Sequence, residues 1–228
     1  MRVFCLGVLF VCSLTAVLAQ IPSPDTLGSV IILKITPLTL FDLDNTVQGG
    51  IEVPLKNPAW TVQQEVGYGH SAFNLWFYER REHPNRETWR SRSQIRYYFR
   101  KRNQKSAYIA GEYLFKKNSE QKFESVGYEC VGGQFNQQCA YYKNQKTHLG
   151  RFVNAFHVKW GGQIAISERW LLDMHLGLGI RALNVRYLNK DKPLLGRDFQ
   201  FFDFRTDAPG RYQPTPSLSM GVVIGYRL

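Results

Sequence analysis

Residues 152–183 read F-V-N-A-F-H-V-K-W-G-G-Q-I-A-I-S-E-R-W-L-L-D-M-H-L-G-L-G-I-R-A-L. From Trp170 onward, Trp170, Leu172, Met174, Leu176, Leu178 and Ile180 take one parity. Leu171, Asp173, His175, Gly177, Gly179 and Arg181 take the other. Alternation of this length predicts a strand with one apolar face and one polar or small face. The preceding run behaves alike: Phe156, Val158, Trp160, Ile164 and Ile166 oppose His157, Lys159, Gly161, Gln163 and Ala165. Ser167-Glu168-Arg169 is a tight connection between the two. Pairing across it sets Ile166 opposite Trp170 and Gln163 opposite Asp173, so apolar meets apolar and polar meets polar. Both strands exceed the usual length of about 5–6 residues.

The same alternation recurs on either side. Upstream it predicts strands over Val30–Phe41, Thr46–Leu55, Trp60–Gly69, Trp89–Arg102 and Ser106–Phe115; downstream it predicts one over Pro216–Leu228. With the central hairpin, the reading totals eight strands. Asp42–Asn45, Lys56–Ala59, Asn103–Lys105 and Ser167–Arg169 are short connections, whereas 70–88, 116–151 and 184–215 are long. Apart from Asp42–Asn45, short turns fall at one end and long loops at the other, the pattern of an outer-membrane barrel. The predicted class is all-β, an eight-stranded antiparallel up-and-down transmembrane β-barrel. Across Asn103–Lys105 the expected register sets Arg96 opposite Glu112, Phe99 opposite Ile109 and Ile95 opposite Tyr113.

Met1–Ala19 carries Arg2, an apolar run and a small-residue ending, Val17-Leu18-Ala19, which predicts a cleaved signal peptide. The alternative is an uncleaved anchor, although the run is shorter than the roughly 20 residues of a spanning helix. Residues 20–29 form a Pro-containing lead and 30–228 the barrel domain. The formal net charge of +11 points to an anionic surface such as lipid phosphate. No nucleic-acid-binding motif is present, and no nucleic acid partner is expected. Cys130 and Cys139 lie in a polar segment of an exported chain and are expected to form a disulfide. No cofactor or metal is expected.

On this parity Lys34, Glu52, Glu65, Arg96, Arg100, Glu112, His157, Lys159, Asp173, His175 and Arg181 point inward. Both signs are present, so charge pairs among Arg96, Glu112, Glu52, Glu65, Lys159 and Asp173 are expected. Side chains can fill an eight-stranded barrel, which predicts a plugged interior and no open pore. Trp60, Tyr68, Trp89, Trp160, Trp170 and Tyr226 fall outward near strand ends, where membrane-interface aromatics sit.

Ile31–Leu38, Ser93–Tyr98, Gly111-Glu112-Tyr113, Leu176–Arg181 and Ser219–Leu228 carry a resemblance. With these segments the chain resembles the small eight-stranded outer-membrane β-barrel proteins of Gram-negative bacteria, in particular a Bacteroidetes-type family of unassigned function. The resemblance implies an outer-membrane location, assembly by the barrel-assembly machinery and contact with lipopolysaccharide. It leaves another outer-membrane protein open as a partner.

The functional expectation is a non-enzymatic barrel with a structural, partner-binding or lipid-binding role. Two alternatives stay open: a lipid A-modifying barrel enzyme, and a soluble lipocalin-like carrier of an apolar ligand. His70-Ser71 is the pair that invites the enzymatic reading, but no acidic residue lies near it in sequence as an orienting third member. Arg80, Arg81, Arg86, Arg90 and Arg92 could clamp lipid phosphates, since guanidinium forks suit them. A solvated basic loop is the competing reading. His157 and His175 stand too far apart in the expected register to share a metal.

Overall fold

Strands with one polar face must hide that face or leave it wet, and this chain hides it by curving the strands into a ring. A computed structural model describes residues 30–42, 44–102, 105–131, 138–188 and 209–228. The predicted signal peptide and the lead lie outside the described residues. The strands are β1 (Ile32–Ile35), β2 (Val47–Pro54), β3 (Trp60–His70), β4 (Glu87–Arg102), β5 (Lys105–Val131), β6 (Gln138–Ala165), β7 (Trp170–Tyr187), β8 (Gly210–Arg211) and β9 (Thr215–Arg227). From β1 to β7 each strand pairs antiparallel with the next, and β9 pairs with both β7 and β1. The pairings therefore lead round a ring, and β8 is a two-residue addition to β7. Such closure removes the unpaired edges that an open sheet exposes.

The central hairpin has the register read from its sequence: Gln163 opposite Asp173, His157 opposite Gly179. Three other expectations need correction. The first strand ends at Ile35, because Pro37 brings no N–H to the ladder and opens a 3₁₀ turn, Pro37–Leu40. Thr39 Oγ1 holds that turn, lying 2.6 and 2.7 Å from the Thr36 and Thr46 carbonyl oxygens.

The expected loop over 116–151 is strand for most of its length. Ser119 is the last β5 residue opposite β4, and Leu149 the outermost β6 residue opposite β7. Beyond them β5 and β6 pair with each other in a two-stranded ribbon, at about 3.3 Å per residue some 40 Å long. Its run of Ser, Glu, Gln, Lys and Asn residues gives no sustained apolar–polar alternation, so periodicity could not reveal it.

The third correction concerns β4 and β5. Arg102 stands opposite Lys105, one residue tighter than expected, and an irregularity between Tyr98 and Arg100 takes up one more. Two single steps shift the register by two. Facing is therefore unchanged, but Gln94, not Arg96, lies opposite Glu112, and Arg96 lies opposite Ala110.

Burial follows parity and is inverted relative to a water-soluble core. Arg96 and Asp173 are 0% exposed, whereas Leu178 is 69% and Trp160 70% exposed.

Candidate functional site

Four charged side chains from four strands meet inside the ring. Lys34 Nζ lies 2.6 Å from Asp173 Oδ2 and pairs with Glu52. Arg96 Nη1 lies 2.5 Å from Asp173 Oδ2 and 3.3 Å from Glu52 Oε2. Two cations thus face two anions, and neutral donors fill the remaining lone pairs. Tyr108 donates to Asp173 Oδ1 (2.7 Å); Tyr98 and Thr61 donate to Glu52 Oε1 (2.6 Å each). Gln163 donates to both acids. Arg96 lies 4.3 Å over the Tyr108 ring and donates through Nε and Nη2 to Gln94. Gly161 makes room for that tyrosine, since a Cβ there would stand 2.4 Å from its hydroxyl. Burying charge is tolerable only when it is paired and hydrogen-bonded in this way.

Gln94 connects this hub to a second cluster by donating to Glu112 Oε2 at 2.7 Å. Glu112 pairs with Lys159, and His157 Nδ1 lies 3.3 Å from its other oxygen. Glu65 accepts from Gln48 and Gln63, with Arg92 Nη1 3.9 Å away. All six residues expected in interior charge pairs are there, but Arg96 is partnered by Asp173 and Glu52, and Glu112 by Lys159. Tyr98 shares the inward parity of Arg96, whereas neither Tyr108 nor the bridging role of Gln94 was among the sequence expectations. A tyrosine on the polar parity is the signal that could have found the former.

The arginine group separates. Arg86 (2% exposed), Arg90 (5%) and Arg92 (8%) turn into the ring, while Arg80 and Arg81 are exposed. A five-arginine lipid clamp is therefore corrected to two exposed residues. Arg90 Nη2 reaches Asp42 Oδ2 at 2.6 Å, and Lys116 pairs with Asp44. Burial alone would raise the Asp44 carboxyl, but Lys116, Arg90 and Arg86 hold it well below the usual carboxylate range. His70 Nδ1 accepts from the Ala72 amide at 3.0 Å, and Ser71 Oγ donates to the Pro84 carbonyl. Both members of the candidate enzymatic pair thus serve the backbone of the loop. Among the described residues no group of three or more His, Cys, Asp or Glu could hold a metal ion.

No protein-family model, curated protein or solved structure matches the chain.

The outward face has its own organisation. One row near the short turns contains Trp60, Tyr97, Ile109, Trp160, Leu176 and Met220. A second, toward the long loops, contains Tyr68, Trp89, Lys117 and Phe152. Trp60 packs on Tyr97 at 4.9 Å and Tyr68 on Trp89 at 4.8 Å. Between the rows, none of the described outward positions is Asp, Glu, Lys, Arg or His. Polar groups that do occur there satisfy one another: Gln64 donates to Ser91 (3.0 Å), Ser93 to Gln64 (2.5 Å) and Tyr113 to Asn154 (2.7 Å). Charge returns on this face only at the margins, with Lys105 at one end and Glu87, Lys117 and Arg186 at the other.

Proposed function

We propose that this chain is a non-enzymatic outer-membrane β-barrel of the small Gram-negative type, exported by its signal peptide. Its interior is plugged by charge pairs, and its role is structural or one of binding a partner or lipid. The observation that carries this reading is the inversion of the ring, with the Lys34–Glu52–Arg96–Asp173 hub inside and an uncharged band outside. Along β3 the band runs from residue 60 to residue 68, close to the roughly 9–11 residues of a tilted membrane-crossing strand. Lipid cannot hydrogen-bond, which accounts for the mutual pairing of Gln64 with Ser91 and Ser93. A soluble carrier of an apolar ligand needs the opposite arrangement, apolar inside and polar outside.

The test is refolding of the full chain from urea into phosphatidylcholine vesicles. An unheated sample is expected to migrate faster on a denaturing gel than a boiled one, and no stepwise conductance should appear across a planar bilayer. A chain that stays folded and monodisperse without detergent or lipid overturns the membrane reading. Sustained open-channel conductance overturns the plugged interior.

We also propose that Cys130 and Cys139 are bonded within one chain. They stand directly opposite in the ribbon formed by β5 and β6, where cross-strand Cα separations of about 5.5 Å suit a disulfide. Unreduced peptide mapping by mass spectrometry should recover the two cysteines linked. Complete alkylation of both thiols in freshly isolated protein would contradict the bond.

A further inference from the structure

We infer that Phe73–Arg81, in the connection between β3 and β4, is an interfacial anchor that lies on the phosphate-bearing surface of the bilayer holding the ring. This rests on the membrane reading above and adds to it a lipid-contacting element outside the strands. Phe73 (70%), Leu75 (60%), Trp76 (49%), Phe77 (67%) and Tyr78 (71%) are all strongly exposed within six residues. Water-facing loops rarely present so much contiguous apolar surface. The segment is nonetheless fixed in place. Trp76 Nε1 donates to the Phe41 carbonyl at 3.2 Å and its amide to Asn74 Oδ1 at 2.8 Å. It follows β3, whose outward Tyr68 packs on Trp89 in the loop-side row. The apolar patch therefore adjoins the margin of the uncharged band.

Charge decides the occupant. The short helix α1 spans Phe77–Glu82. At about 100° per residue, Arg80 and Arg81 flank Phe77 on the same side of the helix. Arg80 lies 5.5 Å over the Phe77 ring, so aromatic and guanidinium form one surface. An aromatic body with cations at its rim matches the headgroup layer, where rings sit among the carbonyls and guanidinium groups reach phosphates. Arg86, Arg90 and Arg92 take no part, because the ring has enclosed them.

The experiment uses the full chain refolded into phosphatidylcholine vesicles containing phosphatidylglycerol, with a fraction of the lipid brominated high on the acyl chain. Insertion of the ring is scored separately by the heat-dependent gel shift, so failure of the membrane reading is seen on its own. In inserted protein, Trp76→Phe should remove a bromine-quenched component of the tryptophan emission. Arg80→Ala with Arg81→Ala should lower the docked-to-undocked ratio of Trp76 by roughly five-fold per arginine in the anionic vesicles. Normal insertion with a Trp76 component that only aqueous iodide quenches would overturn the anchor and point to a protein partner. Quenching of Trp76 that ignores both arginine substitutions would overturn the phosphate contact.

Discussion

Replacing Asp173 by leucine is expected to destabilise the folded chain by about 3–5 kcal/mol, the cost of leaving buried charge uncompensated. Asp173 is 0% exposed and accepts from Lys34, Arg96, Tyr108 and Gln163. Without it, two cations share Glu52 alone, in surroundings that screen poorly. Arg96→Met removes the matching excess, so the double variant should lose clearly less than the two single losses added. The measurement is denaturant unfolding of all four proteins in the same detergent, followed by tryptophan emission. Additivity within about 0.3–0.5 kcal/mol would show that the residues do not interact. The same cycle on Arg96 and Glu112 should show weaker coupling, because those two communicate through Gln94 and not by direct contact.

Ile180→Arg is expected to be the most damaging single change on the outward face. Ile180 is 58% exposed and lies in the row of Phe156, midway between the two outer rows. On the surface of a water-soluble protein such a change stays within about 0.5 kcal/mol. At the midplane of a bilayer it costs about 2–4 kcal/mol. Refolding yield and stability in vesicles should fall accordingly, and the same substitution at Trp170, beside the short turn, should cost less. An Ile180→Arg protein as stable in vesicles as its parent would argue that this face does not meet lipid.

Facing was legible from sequence because strand periodicity has only two phases. Lys34, Glu52, Glu65, Arg96, Glu112, Lys159 and Asp173 are all buried where alternation put them. That held on β4 and β5 even though their register is displaced by two residues, since an even displacement leaves parity untouched. The same tolerance explains why the pairing of Arg96 with Glu112 could not be read off. Register there depends on the turn closing at Arg102 and Lys105 and on the irregularity beside Tyr98, neither of which alters the hydrophobic pattern. The reading of Arg90 and Arg92 as lipid-facing failed for a different reason, because parity did carry their facing. A basic run looks solvated along the chain, yet strand parity at the start of β4 turns Arg90 and Arg92 into the ring.

What the amino-acid order determined by itself is the alternation, hence the strands, their faces and the inverted distribution of charge. Who meets whom inside was decided by closure. Lys34 and Asp173 are separated by 139 residues, and Arg96 and Asp173 by 77. They lie on β1, β4 and β7, no two of which pair with each other, and come within hydrogen-bonding distance only because the sheet curves until β9 pairs with both β7 and β1. Local pattern specifies a direction for each side chain, but the distance between two inward-pointing side chains is set by the curvature and stagger of the whole sheet.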